Sequence, residues 1–300
     1  MTTRALVLSG GGPVGIAWES GLIGGLAKAG IDLSQADFIL GTSAGSFVGA
    51  RLAMGTTPAE LAAPFLAMDD ANAPPLPSGD APKPAQAAPP NAMPMITRLE
   101  QARASGKSQR EILADIGAYA LAAETISEQA FIDSFGKRMS DLPADFWPER
   151  NFACTAVDAV DGGFHLWTRD SGVGLARAVA SSCSVPGVFP PITIHGRKYI
   201  DGGMRSGSNA DIAVGHDLVL VVGMRTAAEP AMSERMRAPL EAEIATLRAG
   251  GARVELVLPD DASQSAFGLN LMDARVRPAA AKAGLTQGRA MAAALKDFWD

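Results

Sequence analysis

Cysteine, histidine, positive charge and long apolar runs are all in short supply in this chain, and each shortage excludes something. Two cysteines, Cys154 and Cys183, among 300 residues are too few for a disulfide framework and supply no zinc-type pair. Both read as small core residues. Lys and Arg total 26 against 32 for Asp and Glu, a net charge of −6, so no general electrostatic pull acts toward nucleic acid or an anionic bilayer. Any membrane contact has to be local and apolar. No window approaches the roughly 20 continuous apolar residues of a spanning helix. The opening, Met1 to Ser9, carries one basic residue and a short apolar run that passes directly into glycines, without the longer core and cleavage site of a secretory signal. The expectation is a soluble, cytoplasmic protein with at most a peripheral attachment to membrane surfaces.

Glycine and proline, at 32 and 20 residues, punctuate the chain instead. Ala5 to Leu8 forms a short apolar run before Ser9 and three glycines, and Ile16 to Ala29 then carries helical spacing at Ile16, Leu22, Ile23 and Leu26. Asp37 to Leu40 repeats the strand pattern, Gly41 to Gly45 the tight turn and Ser46 to Met54 the helix. This βαβα opening implies a parallel sheet. A helix near Pro58 to Met68 gives way to an Ala/Pro-rich stretch at about 69–95, which cannot bury enough to order itself and is expected as an extended insertion, a candidate lid or a solvated loop. Helical patterns run from Met95 to about Met139, with a capping box expected at Ser127-Glu-Gln-Ala-Phe. Strands are expected at 152–157, 163–168, 192–194, 197–200, 218–223 and 253–258, and helices at 172–182, 232–249 and within 279–299. The whole, residues 1–300, reads as one α/β domain with insertions.

The chemistry concentrates at three places. Gly41-Thr-Ser43-Ala-Gly45 lies between a strand and a helix, the setting of a nucleophile elbow, where the flanking glycines Gly41 and Gly45 let the backbone turn sharply with strand and helix in close approach. Ser43 is the candidate nucleophile; a capping serine in a glycine-rich turn has the same local pattern. Gly10-Gly11-Gly12 offers backbone N–H groups at the end of the neighbouring strand, a candidate oxyanion hole. Pro13 cannot donate, which leaves Gly11 and Gly12 as the expected donors and suits Pro13 to the first turn of the following helix. The same segment, Gly10-x-Gly12-x-x-Gly15, also fits a dinucleotide fingerprint, but the next strand ends in Gly41-Thr-Ser43 rather than in a ribose-binding acid. No Lys-Ser/Thr follows to make a phosphate loop.

The base is open between two readings. Asp201, in Tyr199-Ile-Asp201-Gly-Gly203, ends an apolar strand; a carboxylate held in apolar surroundings and bonded to one hydroxyl gains proton affinity and can serve as a base. The alternative is a triad of Ser43, an acid and His216, in the chain order of the α/β-hydrolases. His165 falls within a strand and His195 at a hairpin turn.

These motifs together resemble the patatin-like phospholipases. Gly10-Gly-Gly-Pro-Val-Gly15 is similar to that family's oxyanion loop, Gly41-Thr-Ser-Ala-Gly45 to its nucleophile motif, Asp201-Gly-Gly203 to the motif of its aspartate, and Ala180-Ser-Ser-Cys-Ser-Val-Pro-Gly-Val-Phe-Pro-Pro191 to the segment before the aspartate hairpin. The resemblance covers Leu6 to Met54 and about Phe152 to Gly223. It implies a three-layer α/β/α fold, a Ser43–Asp201 dyad and hydrolysis of fatty-acyl esters in lipids, with no metal or other cofactor and no nucleic-acid partner. The family commonly carries Arg or Lys where this chain has Val14, so the headgroup and the anchoring of the loop stay open. A second class of reading is an inactive lipid-binding or regulatory member.

Overall fold

The computed structural model describes residues 2–68, 92–224 and 230–299. Strand β1 (Arg4–Leu8) leads into helix α1 (Gly12–Lys28), β2 (Phe38–Gly41) into α2 (Ala44–Ala53), and α3 (Pro58–Leu66) follows. Helices α4 (Met93–Arg103), α5 (Gln109–Ala122), α6 (Glu128–Asp133) and α7 (Lys137–Ser140) then precede β3 (Phe152–Asp158), β4 (Phe164–Trp167) and α8 (Leu175–Ser182). The hairpin β5 (Ile192–Ile194) and β6 (Arg197–Asp201), then β7 (Leu218–Val222), α9 (Pro230–Ala249), β8 (Arg253–Val257), α10 (Asp261–Phe267) and α11 (Arg277–Trp299) complete the order.

Eight strands form one sheet in the order β5-β6-β3-β2-β1-β7-β8, with β4 also on β3. The pairs β1–β2, β1–β7, β2–β3 and β7–β8 are parallel, whereas β3–β4, β3–β6 and β5–β6 are antiparallel. Side chains alternate across β1 as a strand's period of two requires: Leu6 and Leu8 enter one core with Trp18, Leu22, Val48, Val179 and Leu295, while Ala5 and Val7 enter another with Ala210, Ala213, Ile244 and Leu247. Helices therefore cover both faces, and the fold is a three-layer α/β/α sandwich with a mostly parallel sheet.

Helix α11 packs on α1 at a distance that only glycine permits. A Cβ on Gly21 would sit 2.1 Å from the Ala281 carbonyl oxygen, and one on Gly284 would sit 2.3 Å from that of Trp18.

Several boundaries move from their sequence-based positions. α1 begins at Gly12, inside the glycine loop, and α2 begins at Ala44, directly after Ser43. The helical stretch after Met95 divides into four helices, and α10 breaks what reads from sequence as a connection. Ser127 caps α6 by accepting the Ala130 N–H at 3.1 Å, but the expected box does not close, because the third helical residue is Ala130. Glu128 instead turns to the hairpin, accepting from the Thr193 N–H at 2.9 Å and pairing with Lys198. Reciprocal boxes form at Thr57/Glu60 and Ser108/Glu111. Of the Ala/Pro insertion, residues 69–91 lie outside the described residues, and the expectation of a lid goes with them. Around it, Met95 is buried, and Phe65, Leu66 and Ile96 pack partly buried against the core. Both cysteines are buried free thiols.

Candidate active site

The register of the sheet brings the candidate residues together. Gly41 at the end of β2 pairs with Cys154, and Asp201 at the end of β6 pairs with Ala156. Because β2 runs parallel to β3 and β6 antiparallel, the two strands advance toward each other and finish two residues apart, while β4 occupies the opposite edge at both positions, through Trp167 and His165. The turn after β2 and the turn after β6 thus meet at one place along β3.

Ser43 sits in that first turn with φ 52° and ψ −119°, one of three non-glycine residues with positive φ among the described residues. An L-residue pays of order 1–3 kcal/mol for such a state, which persists only where surroundings over-determine it. Here they do. The Ser43 N–H donates to the Ser182 hydroxyl at 3.0 Å, and its carbonyl accepts the Ser46 hydroxyl at 2.6 Å and the Cys183 thiol at 3.1 Å. The close approach that the turn needs is visible at Gly45, where a Cβ would lie 2.1 Å from the Leu8 carbonyl oxygen, and at Gly41, where it would meet Ser46 Cα at 2.4 Å.

Asp201 is 2% exposed and its Oδ1 accepts the Gly203 N–H at 2.7 Å. Burial pushes its proton affinity up, and hydrogen bonding from the Ser43 side chain and the Gly203 N–H pulls partly back, leaving a pKa of about 7. The turn that carries it is tied to the nucleophile's turn by Asn209, itself left-handed at φ 51°. Its amide donates to Thr42 Oγ1 at 3.1 Å, to the Gly202 carbonyl at 3.2 Å and to the Ser206 carbonyl at 2.8 Å, while Thr42 and Thr155 hydroxyls meet at 2.9 Å.

In the glycine loop, the Gly10 N–H is committed to the Gly207 carbonyl at 2.8 Å. Gly11 caps α1 and Gly12 is its first residue, so their N–H groups precede the first intrahelical acceptor. They remain the candidate donors of the loop, and the Gly10 N–H bond fastens it to Gly207. A Cβ on Gly10 would lie 3.2 Å from Ser43 Cβ, which measures how closely loop and serine pack. Gly12 has φ 58°, and a Cβ there would lie 2.8 Å from the Leu271 carbonyl oxygen. Val14 is fully buried, and its N–H donates to that same carbonyl at 3.3 Å. The loop is therefore anchored by the segment between α10 and α11, not by a basic side chain at position 14.

A cavity of about 250 Å³ opens over Ser43, floored by Gly12, Pro13 and Ala44 and walled by Ile16, Phe47, Phe65, Phe131, Phe135 and Phe189, among other residues. Phe131 stacks on Phe189 at 4.3 Å between ring centroids, and Phe47 on Phe135 at 5.7 Å. The histidines are engaged elsewhere. His216 stacks on Phe38 at 5.2 Å and bonds the Ala213 carbonyl through Nδ1 at 2.9 Å. Phe38 begins β2, whereas Ser43 follows its end, so His216 lies at the opposite end of the strand. His165 packs on Trp167 and Tyr199, and His195 bonds the Ser171 carbonyl at 3.2 Å. Among the described residues no group of three or more His, Cys, Asp and Glu side chains is placed to hold a metal ion.

Sequence reasoning did not single out Ser182, Asn209 or Leu271. Ser182 stands inside the Ala180–Pro191 segment, and Asn209 follows the small, polar run Ser206-Gly-Ser208, a composition typical of tight loops. Leu271 carries no signal, because it acts through its backbone.

An α/β/α sheet that presents a serine at a strained strand-to-helix turn is an architecture of hydrolytic enzymes. A sequence profile of the patatin-like phospholipases matches residues 6–214, and the chain belongs to that family, whose members are lipid acyl hydrolases. Among solved structures it is similar to VipD from Legionella pneumophila, at 16% identity and a TM-score of 0.47, over 98% of this chain and 67% of that one. It is also similar to the type III effector protein ExoU, at 16% identity and a TM-score of 0.39, over 97% of this chain and 53% of that one. No curated protein matches. No helix among the described residues is long and apolar enough to cross a membrane.

Proposed function

We propose that the chain cleaves fatty-acyl esters, as a phospholipase A, lysophospholipase or carboxylesterase, through a Ser43–Asp201 dyad. The observation that supports this most is Asp201, buried beside the Ser43 hydroxyl and holding its proton with a pKa of about 7, where a general base works best at neutral pH. Asp201 takes the Ser43 proton as Oγ attacks the ester carbonyl. The tetrahedral oxygen accepts from the Gly11 and Gly12 N–H groups, preorganised at the start of α1. Collapse breaks the ester bond, and the leaving alcohol takes the proton back from Asp201. Water then gives a proton to Asp201 and attacks the acyl-enzyme, and the fatty acid leaves with Ser43 reprotonated. The phenylalanine-walled cavity takes the acyl chain, and the mouth of the cavity meets lipid at a membrane surface peripherally.

Ser43→Ala should abolish turnover of a p-nitrophenyl ester and covalent labelling by a fluorophosphonate, while its circular dichroism matches the parent. Turnover retained by that variant would sink the nucleophile assignment. A parent protein that binds lipid yet neither labels nor hydrolyses would favour the inactive, lipid-binding reading.

A further inference from the structure

Asn209 ties the two catalytic turns together from an unfavourable backbone state, so something has to hold Asn209 itself. Its φ of 51° is left-handed, a region that Asn tolerates but that endures only where neighbouring contacts leave no alternative. The groups on either side of it are gripped by one carboxyl. Glu243, buried on α9, accepts the Ser208 hydroxyl at 2.6 Å and the Ala210 N–H at 2.9 Å, both on Oε2. The shorter of the two has the length of a charge-assisted O–H···O bond. Arg205 donates to Asn209 Oδ1 at 2.7 Å, which leaves the Asn209 NH2 group to face the turns as a donor.

All three catalytic segments hang from this short stretch. The Gly207 carbonyl takes the Gly10 N–H of the glycine loop at 2.8 Å. The Ser208 carbonyl accepts the Thr42 hydroxyl at 3.3 Å, and the Asn209 amide reaches both Thr42 and Gly202, the neighbours in sequence of Ser43 and Asp201. Glu243 does not line the cavity over Ser43, so whatever it contributes passes through the stretch it holds.

Resting on the acyl-hydrolase reading of Ser43, we infer that Glu243 is a positioning residue: by holding Ser208 and Ala210 it fixes Asn209, and so sets the glycine loop, the serine and the aspartate in place relative to one another. It touches no reacting atom. A displacement of about 1 Å among groups of this kind costs roughly a hundredfold in rate, while the cavity that takes the acyl chain is left whole. The effect of removing Glu243 therefore falls on kcat and not on KM.

The test compares Glu243→Gln and Glu243→Ala with Leu247→Ala, which empties a buried position one turn further along the same helix. On a p-nitrophenyl ester, kcat should fall about tenfold in Glu243→Gln, which keeps an amide oxygen as acceptor, and about a hundredfold in Glu243→Ala, with KM within about threefold of the parent in both. Leu247→Ala should melt at least as low as Glu243→Gln yet keep kcat within about twofold, because its loss is one of packing. Equal kcat losses in Leu247→Ala and Glu243→Gln, or a rise in KM at unchanged kcat, would overturn the inference. If Glu243→Ala does not fold, the comparison of Glu243→Gln with Leu247→Ala decides. Hydrogen exchange gives a readout independent of turnover. In Glu243→Gln the Gly10 N–H, which Glu243 does not touch, should exchange about tenfold faster than in the parent, whereas the Asp158 N–H, bonded to the Gly163 carbonyl at 2.8 Å in a different turn, should keep its rate. Unchanged exchange at Gly10 also overturns the inference. A parent protein that neither hydrolyses the ester nor labels with a fluorophosphonate overturns the acyl-hydrolase reading instead, and the exchange rates then decide on Glu243.

Discussion

Ser182 accepts the backbone N–H of Ser43 at 3.0 Å, and through that bond α8 helps to hold the serine in a left-handed state unfavourable to it. Ser182→Ala leaves this buried N–H unsatisfied, at a cost of about 1–3 kcal/mol. The melting temperature should fall by several degrees, and kcat on a p-nitrophenyl ester should drop about tenfold while KM changes little. A variant that melts lower with kcat intact would show that the bond serves only the fold.

In the proposed mechanism Asp201 can accept the Ser43 proton only when ionised. With a pKa of about 7, kcat/KM should climb through an acid limb centred near pH 7 and level off above it. The sign for stability is the reverse. The native protein holds this proton more tightly than the unfolded chain does, so Asp201 costs stability as pH rises from the ordinary carboxylate range toward 7. Asp201→Asn should be inactive and should gain thermal stability over the parent at pH 8 relative to pH 4. Equal pH–stability curves for the two proteins would count against the raised affinity.

Glu19 is buried on α1, and among the described residues neither carboxyl oxygen has a hydrogen-bond partner of full geometry, the Ser9 backbone N–H only partly offsetting the burial. Burial pushes its proton affinity well above the usual carboxylate range, so it is held neutral, and its stability contribution declines as pH rises above its unfolded-state value. Glu19→Gln should remove this dependence. Thermal melts from pH 4 to 8 should show the variant gaining on the parent throughout that span; parallel curves would contradict a neutral Glu19.

Gly12 and Gly30 both have positive φ, at 58° and 92°, but a Cβ on Gly30 would meet nothing within 4 Å. Gly30→Ala should therefore cost about 1 kcal/mol of stability and no activity. At Gly12 a Cβ would collide with the Leu271 carbonyl oxygen, so Gly12→Ala should displace the loop and lower kcat at least a hundredfold. Similar kcat losses in the two variants would show that the collision is not what matters.

His216 sits at the far end of β2 from Ser43, stacked on Phe38. His216→Ala should keep kcat/KM within about twofold of the parent and lose at most about 1 kcal/mol of stability from the lost stacking. A loss of several orders of magnitude in kcat/KM would restore the triad.

Much of the site was legible because the local rules there leave few choices. Glycines at 41 and 45 around a serine, after an apolar run and before a helix, fit an elbow, and periodicity alone gives the βαβα opening. The meeting of Ser43 with Asp201 was not readable from spacing, since it depends on the register of β2 and β6 along β3. The role of Gly10 escaped for the same reason: the sequence groups it with the candidate oxyanion loop, and only the fold shows the Gly207 carbonyl that takes its N–H. Leu271 and Ser182 act through a backbone carbonyl and a common hydroxyl, and neither leaves a mark on composition. The expected capping box at Ser127 failed on a matter of position, with the glutamate at the first helical residue instead of the third.

The Leu271 carbonyl that anchors Val14 belongs to one of the later segments of the chain, and α11 seats against α1 through contacts that admit no side chain at Gly21 or Gly284. During synthesis the serine, the aspartate and the glycine loop all leave the ribosome long before this wall exists. A chain stopped short of Leu271 would therefore carry Ser43, Asp201 and the glycine loop but lack the carbonyl that fastens Val14.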